Sequence, residues 1–177
     1  MRALASVAFC LALVACAGDA PEQSDWERAH EALNWQESRV ALPAQPRSAN
    51  LVEFEVDGGA DFHFLVDAST LTVGSDGVVR YVLVARSPEG AENVSFEGLR
   101  CRDGEYKIYA TGSGNGTWLS TREARWRPVE QGAGSWHKTL ANDYFCPAKD
   151  PIRTIAEGVD ALRRGGNPRA GELRRGP

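Results

Sequence analysis

The feature that most constrains the fold is a period-two alternation of apolar and polar residues between Leu51 and Gly112. Val52, Phe54 and Val56 alternate with acidic residues, which is typical of a strand that buries one face. Similar short runs recur along the chain, at residues 62–66, 70–73, 78–86, 93–101 and 106–110. Because tight turns containing glycine separate most of these runs, the pattern predicts an antiparallel β-meander of about six strands.

One position breaks this alternation. Val94 and Phe96 share one parity, whereas Leu99 and Cys101 share the other, and the switch falls at Gly98. A glycine at a change of parity predicts a β-bulge, which would send the next cysteine towards the core.

The pattern changes to helical spacing after Gly116. Apolar residues lie three or four positions apart in residues 135–145 and 152–162, and the second segment closes at Gly165 and Gly166, a typical helix stop. Strands followed by helices predict an α+β fold in which the meander packs with two C-terminal helices.

The N-terminus carries a targeting signal. A short positive head is followed by an apolar stretch, as in secretory signal peptides, and the stretch is too short to span a bilayer. Leu13-Val14-Ala15-Cys16 resembles the lipobox of bacterial lipoproteins, which implies cleavage before Cys16 and acylation of its thiol. An ordinary cleaved signal with an incidental cysteine is the alternative. Ala17 in place of an aspartate favours the outer membrane, facing the periplasm.

Two cysteines remain for the domain, because Cys10 lies in the signal and Cys16 is the lipidation site. Cys101 and Cys146 are therefore predicted to form a structural disulfide in the oxidising periplasm. A zinc site would need more ligands than two distant cysteines and three scattered histidines supply. We expect no metal and no cofactor.

The chain is predicted to divide into four segments: a lipoprotein signal peptide (1–15), a flexible tether (16–34), a single α+β domain (35–163) and a basic disordered tail (164–177). The tail region is rich in arginine and glycine, which would suit anionic lipid or nucleic acid. A net charge of −4 for the whole chain and an envelope location argue against nucleic acid. A solvated tail without a role is the plainer interpretation.

Six residues are candidates for binding. Three arginines in apolar strands are costly unless paired or exposed, and aromatic residues with arginine are common interface anchors. The six candidates are Arg80, Arg86, Arg100, Trp118, Trp126 and Trp136. The alternative is that the tryptophans cap the core while the arginines pair with Glu92 or Glu97.

Catalysis has weaker support, because the chain has no sequence motif of a hydrolase or nucleotide-binding enzyme. An envelope hydrolase would use His63 with Asp61 or Asp67, which requires a shared cleft and a hydrogen bond. A small-ligand carrier would need a deep apolar pocket with an arginine at its mouth. We assign no catalytic residue.

The string VVRYVLVARSPEGAENVSFEGLRC (Val78 to Cys101), with YATG, GTW and DYFCP downstream, resembles the CNP-like family. The resemblance covers most of residues 35–163. It implies a secreted or lipid-anchored envelope protein of Gram-negative bacteria and supports Cys101 and Cys146 as family positions. It carries over no catalytic residue.

These observations predict a lipid-anchored periplasmic module that binds another envelope component. Its partners would be the membrane, through the N-terminal acyl chains, and an envelope protein. If a protein binds, a tryptophan is expected within an exposed apolar patch.

Overall fold

The structure, a computed structural model, describes residues 35–56, 61–131 and 136–175. The chain separates into two units, Met1–Trp35 and Gln36–Pro177, and the elements below belong to the second. The predicted signal peptide, the lipidation site Cys16 and the predicted tether lie outside the described residues. Within these ranges, no helix has the length and apolar character needed to cross a membrane.

A seven-stranded antiparallel sheet forms the body of the described chain. Its strands are β1 (Leu51–Phe54), β2 (His63–Val73), β3 (Val78–Arg86), β4 (Glu92–Arg100), β5 (Glu105–Gly112), β6 (Trp118–Ser120) and β7 (Arg127–Pro128). The first six are neighbours in chain order. β6 pairs with the last three residues of β5, and β7 pairs with its first two. The predicted meander is confirmed.

Two strands predicted separately form one strand, β2, with an irregularity inside it. Its pairing with β3 shifts register between Asp67 and Thr72. The Asp67 carboxylate accepts hydrogen bonds from the Ser69 backbone N–H at 2.9 Å and from the Ser69 hydroxyl at 2.6 Å. Local bonds of this kind compete with the sheet ladder. The Thr70 hydroxyl accepts the Val82 N–H at 2.9 Å, so that this donor of β3 stays satisfied.

The bulge predicted at Gly98 lies on the neighbouring strand instead. Pairing between β3 and β4 is unbroken along both strands, but β4 and β5 shift register between Phe96 and Glu97, where Tyr109 is the extra residue. Gly98 serves close packing, because a Cβ built there would lie 2.9 Å from the Tyr109 hydroxyl. The parity change in β4 therefore reflects burial on both faces of the strand.

Each face of the sheet has its own cover. The helix face packs its apolar side chains, among them Val66, Tyr81 and Leu99, against the C-terminal helices. The strap face lies beneath residues 36–47, which we call the strap. The strap contains no helix or strand, and it forms hydrogen bonds to strand and turn residues of this face.

The helices follow the sheet, as predicted. α1 (Trp136–Thr139) continues as a π-helix (Leu140–Phe145), and α2 spans Ile155–Arg164. Thr154 caps α2, since its hydroxyl accepts the Glu157 N–H at 3.1 Å, and Gly165 ends it in the left-handed conformation at φ 74°. Caps of this type satisfy backbone groups that helix ends leave free.

The predicted disulfide between Cys101 and Cys146 is present. Cys101 lies in the turn after β4, and Cys146 directly follows the π-helix. Both cysteines are buried. The bond therefore joins the first helical segment to the sheet, as the sequence predicts.

The C-terminal segment differs from the predicted disordered tail. Residues Pro168–Arg175 form a third helix, α3. Asn167 anchors its start, because its side-chain amide donates to the Tyr144 carbonyl at 3.2 Å and to Glu157 at 3.0 Å. Ala170 is buried. Arginine and glycine composition predicts a solvated tail, but these tertiary contacts order it.

Candidate functional site

The strap supplies a carboxylate to the strap face. Glu37 Oε2 lies 2.7 Å from Lys107 Nζ, and Glu37 Oε1 accepts a hydrogen bond from the Tyr109 hydroxyl at 2.7 Å. The Ser38 N–H donates to Asp76 Oδ2 at 2.8 Å. These contacts join the strap to β5 and to the β2–β3 turn, so side chains rather than a backbone ladder hold this end of the strap.

A buried ion pair lies beneath this contact. Arg80 Nη1 and Nη2 donate to the two carboxylate oxygens of Asp76 at 3.1 and 2.5 Å, and the side chains are 2% and 1% exposed. Arg80 Nε donates to the Tyr109 hydroxyl at 3.2 Å. A bidentate geometry of this kind is the strongest arrangement for arginine with a carboxylate.

The ion pair and the strap shift the pKa values of their groups. Burial acts to raise the pKa of Asp76, but hydrogen bonds from Arg80 and from the Ser38 N–H, with the guanidinium charge, hold that pKa below its ordinary value. Burial first, and then the hydrogen bond to Glu37, raise the pKa of Tyr109 far above its ordinary value, although Arg80 opposes this. Tyr109 therefore stays protonated and donates to Glu37.

The lowered pKa of Asp76 predicts a pH effect on stability. The ionised carboxyl stabilises the fold above the unfolded-state pKa of about 3.9, and this contribution is lost as pH falls through the lower folded-state pKa. In Asp76→Asn, the loss of stability relative to the wild type should therefore be largest at neutral pH and shrink below about pH 4. Urea unfolding across this range measures it, and a constant difference would contradict it.

Aromatic rings lie next to the positively charged side chains of the site. Lys107 Nζ lies 5.2 Å from the centre of the Tyr109 ring and 5.6 Å from that of the Trp126 ring. The Arg100 guanidinium lies 5.4 Å from the Trp126 ring centre. Arg100 is also paired with Asp103 at 2.8 Å and with Glu105. These contacts are within cation–π range, so the site combines cations, a carboxylate and aromatic surface.

Trp118 marks the other end of the strap. Its Nε1 donates to the Pro43 carbonyl at 2.7 Å, and its ring lies 6.4 Å from that of Phe96. Leu42 and Leu119, the chain neighbours of this bonded pair, are 45% and 58% exposed. β6 is the last strand in the sheet order. We call these residues, Leu42, Pro43, Trp118 and Leu119, the β6 edge.

Two of the six predicted binding residues lie apart from this arrangement. Arg86 pairs with Glu92 at 2.7 Å, and both side chains are well exposed. Trp136 stacks on Phe64, with ring centres 5.1 Å apart, and packs against the core. The alternative interpretation from the sequence therefore holds for both residues. Arg86 pairs with Glu92, and Trp136 caps the core.

The structure does not assemble the hydrolase site proposed from the sequence. His63 is 58% exposed and lies 2.6 Å from Glu53 rather than from an aspartate. Asp67 is buried, and the Arg47 N–H and Ser69 engage its carboxylate. Asp61 is exposed. The pairing of His63 with Asp61 or Asp67 is wrong, because His63 lies in solvent beside Glu53, whereas Asp67 is buried beneath the Arg47 end of the strap and is bonded to Ser69.

Two clefts in the described chain were candidates for a carried ligand. One, of about 240 Å³, lies between the strap end and β2 and includes Gln45, Arg47 and Asp67. The other, of about 390 Å³, lies beside α3 and includes Glu55 and Asp143. Both are lined mainly by polar residues and glycines, so neither is the deep apolar pocket that a small-ligand carrier requires.

A second polar cluster lies within the helix face. Glu97 accepts hydrogen bonds from the Ser95 hydroxyl at 2.6 Å and the Tyr81 hydroxyl at 3.2 Å, and lies 3.1 Å from His137 Nε2. Tyr106 stacks on the His137 ring. Glu97 and His137 are 1% and 2% exposed. Because solvent does not reach it, this cluster orders the core and offers no binding surface.

The sequence interpretation missed the residues that connect the strap to the sheet. Asp76 lies between Gly74 and Gly77, where the sequence indicates only a turn, and Glu37 lies in a stretch without a predicted element. Lys107 and Tyr109 alternate with Tyr106 and Ile108 in β5, and the apolar pattern predicts burial only for Tyr106 and Ile108. The signal available in the sequence was that Lys107 and Tyr109 occupy alternate positions of one strand and so lie on the same face of β5.

Comparison with known proteins relates the sequence of this chain to a family. The sequence profile of the CNP1-like family matches residues 30–163, which include the strap and the whole sheet. The chain is 26% identical over 140 residues to a protein named cryptic neisserial protein 1, from Neisseria gonorrhoeae (strain ATCC 700825 / FA 1090), with 70% of this chain and 69% of that protein covered. No solved structure matches the chain significantly.

Proposed function

The chain belongs to the CNP1-like family, and from that premise, with the lipobox at Cys16, we propose a function in the cell envelope. The protein is a lipid-anchored module of the outer membrane, faces the periplasm and binds another envelope protein. The binding surface is the β6 edge. The observation that carries this proposal is that Leu42 and Leu119, the chain neighbours of the hydrogen-bonded Pro43 and Trp118, are both exposed apolar residues.

The anchor rests on the sequence. The lipobox resemblance implies a diacylated thiol and an acylated amino terminus on Cys16. One chain binds a membrane only marginally, because each buried CH₂ contributes about 0.8 kcal/mol, whereas two or more chains hold firmly. A protein held in this way meets its partner at the membrane surface.

The β6 edge suits a protein partner for two reasons. Leu119 is the most exposed large apolar side chain among those described, and a half-buried tryptophan beside it is a typical interface anchor. β6 is also an edge strand, where backbone groups are accessible to another chain. The short length of β6, three residues, limits uncontrolled pairing and leaves side chains to provide specificity.

Crosslinking in living cells tests this function. Leu119→Asp should lower the recovery of a stoichiometric crosslinked protein at least about tenfold, because an unpaired charge that becomes buried when the partner binds costs more than about 1.4 kcal/mol. The tagged chain is crosslinked, purified and examined by mass spectrometry. With Cys16→Ser, the protein should leave the outer-membrane fraction and lose the same partner.

Ile155→Asp is the matched control. Ile155 is also an exposed apolar residue, at 49%, but it begins α2, where an aspartate is favourable. This variant should recover the partner at the wild-type level. Equal recovery with Leu119→Asp, or recovery of the protein alone from wild-type cells, would contradict the proposal.

A further inference from the structure

Three side chains of the strap face surround one carboxylate. Lys107 Nζ and the Tyr109 hydroxyl each lie 2.7 Å from an oxygen of Glu37, and Arg80 Nη2 lies 3.8 Å from Glu37 Oε1. Arg80 and Lys107 are only 2% and 15% exposed. An ammonium, a phenol and a guanidinium directed at one carboxylate form a set of charge-assisted contacts, in the manner of a ligand site.

The donors and the carboxylate differ in how they are held. Arg80 lies in β3, and Lys107 and Tyr109 lie in β5, all strands that pair on both sides. Glu37 lies in the strap, which has no regular secondary structure. The strap contacts the strap face through side-chain groups such as Asp76 and Trp118. The site is therefore built by the sheet, and its ligand comes from a segment outside the sheet's ladder.

The charges show why an anion is needed there. Arg80 is paired with Asp76, and Arg100 with Asp103 and Glu105. Lys107 is paired with Glu37, and its other described contacts are with aromatic rings. Without Glu37, a largely buried ammonium would lack its carboxylate, which is costly. A segment that displaces the strap must therefore bring a carboxylate of its own.

We propose that Arg80, Lys107 and Tyr109 form a carboxylate-binding site, that Glu37 is its intramolecular ligand, and that a glutamate or aspartate on an extended segment of the partner protein replaces Glu37. This inference rests on the proposed function, because it takes the partner to meet the β6 edge. The strap links the two places. Its Pro43 end lies on Trp118 at that edge, and its Glu37 end lies in the carboxylate site.

Acetate is the first probe, with the full mature chain purified in detergent. Glu37→Ala removes the resident carboxylate and leaves room for a small one. Acetate, compared with chloride at equal ionic strength, should raise the urea midpoint of Glu37→Ala towards that of the wild type. It should not change the midpoint of the wild type or of Glu37→Ala combined with Lys107→Met. Absence of any acetate effect on Glu37→Ala would overturn the site.

A peptide probe tests the partner's chemistry. A blocked peptide with the sequence of residues 36–43 and its counterpart carrying glutamine at the Glu37 position are titrated against Glu37→Ala, and against Glu37→Gln as a variant of closer shape. The glutamate peptide should bind about tenfold more tightly. Equal binding, or no binding, would overturn replacement by an acidic segment. Neither probe involves the cellular partner, so a failure of the crosslinking experiment remains distinguishable from a failure here.

Discussion

Replacing Arg80 by methionine should lower the free energy of unfolding by about 3–5 kcal/mol. The side chain is 2% exposed, and it donates two hydrogen bonds to Asp76, whose side chain is 1% exposed. Methionine fills much of the same space but leaves a buried carboxylate without its guanidinium. The cost comes mainly from that uncompensated charge. Urea unfolding followed by tryptophan fluorescence measures it.

Arg86 provides the matched control, because it lies on the same strand and the same face. Its pair with Glu92 is well exposed, and Arg86→Met should change stability by less than about 1 kcal/mol. Combining Arg80→Met with Asp76→Asn should recover part of the loss, since the buried charge is then absent. Equal losses for the two arginine variants would show that the buried pair has no special role.

Removal of the disulfide should have a comparable effect. With Cys101→Ala and Cys146→Ala together, the free energy of unfolding should fall by about 4 kcal/mol on the chain-entropy model, since the bond closes a loop with a sequence separation of 45. The two cysteines join the β4–β5 turn to the end of the π-helix. Without the bond the unfolded chain can adopt more conformations. Its conformational entropy therefore rises, which stabilises the unfolded state relative to the folded one.

Chemical reduction offers an independent control for this prediction. The reduced wild type and the double variant should unfold within about 1 kcal/mol of each other, because both lack the same constraint. Thiol labelling of the oxidised wild type should leave Cys101 and Cys146 unmodified. Labelling of both without reductant, or a double variant as stable as the oxidised wild type, would contradict a structural disulfide.

The predictable part of the fold was local. Alternation in β1, the nearly continuous apolar run of β3 and the glycine turns between strands indicated consecutive hairpins, and the meander followed because neighbouring short strands pair. The end of α2 at Gly165 was visible for the same reason, since left-handed backbone favours glycine. These signals need only a few adjacent residues, so a single sequence contains them.

The candidate site was not local, and the sequence indicated only fragments of it. Arg80 and Arg100 stood out as charges in apolar strands, but their partners are a turn residue, Asp76, and a residue across a hairpin, Glu105. The contact between Glu37 and Lys107 joins positions 70 residues apart. Periodicity cannot indicate contacts of this range.

The sequence by itself determined the meander, the order of strands before helices, and the pair of cysteines left to join them, because local hydrophobic period, turn chemistry and cysteine number are properties of the chain. Only the tertiary structure decided that both sheet faces are covered, that the bulge falls at Tyr109 rather than Gly98, and that the C-terminal residues form α3. Burial of the second face depends on the strap, whose Glu37 lies 70 positions from Lys107 in the chain, and order in α3 depends on the hydrogen bond between Asn167 and Tyr144, 23 positions away. The bulge depends on the packing of Gly98 against Tyr109 across the β4–β5 pair. The physical reason is that each feature is set by contacts between different elements, which the local pattern of residues does not contain.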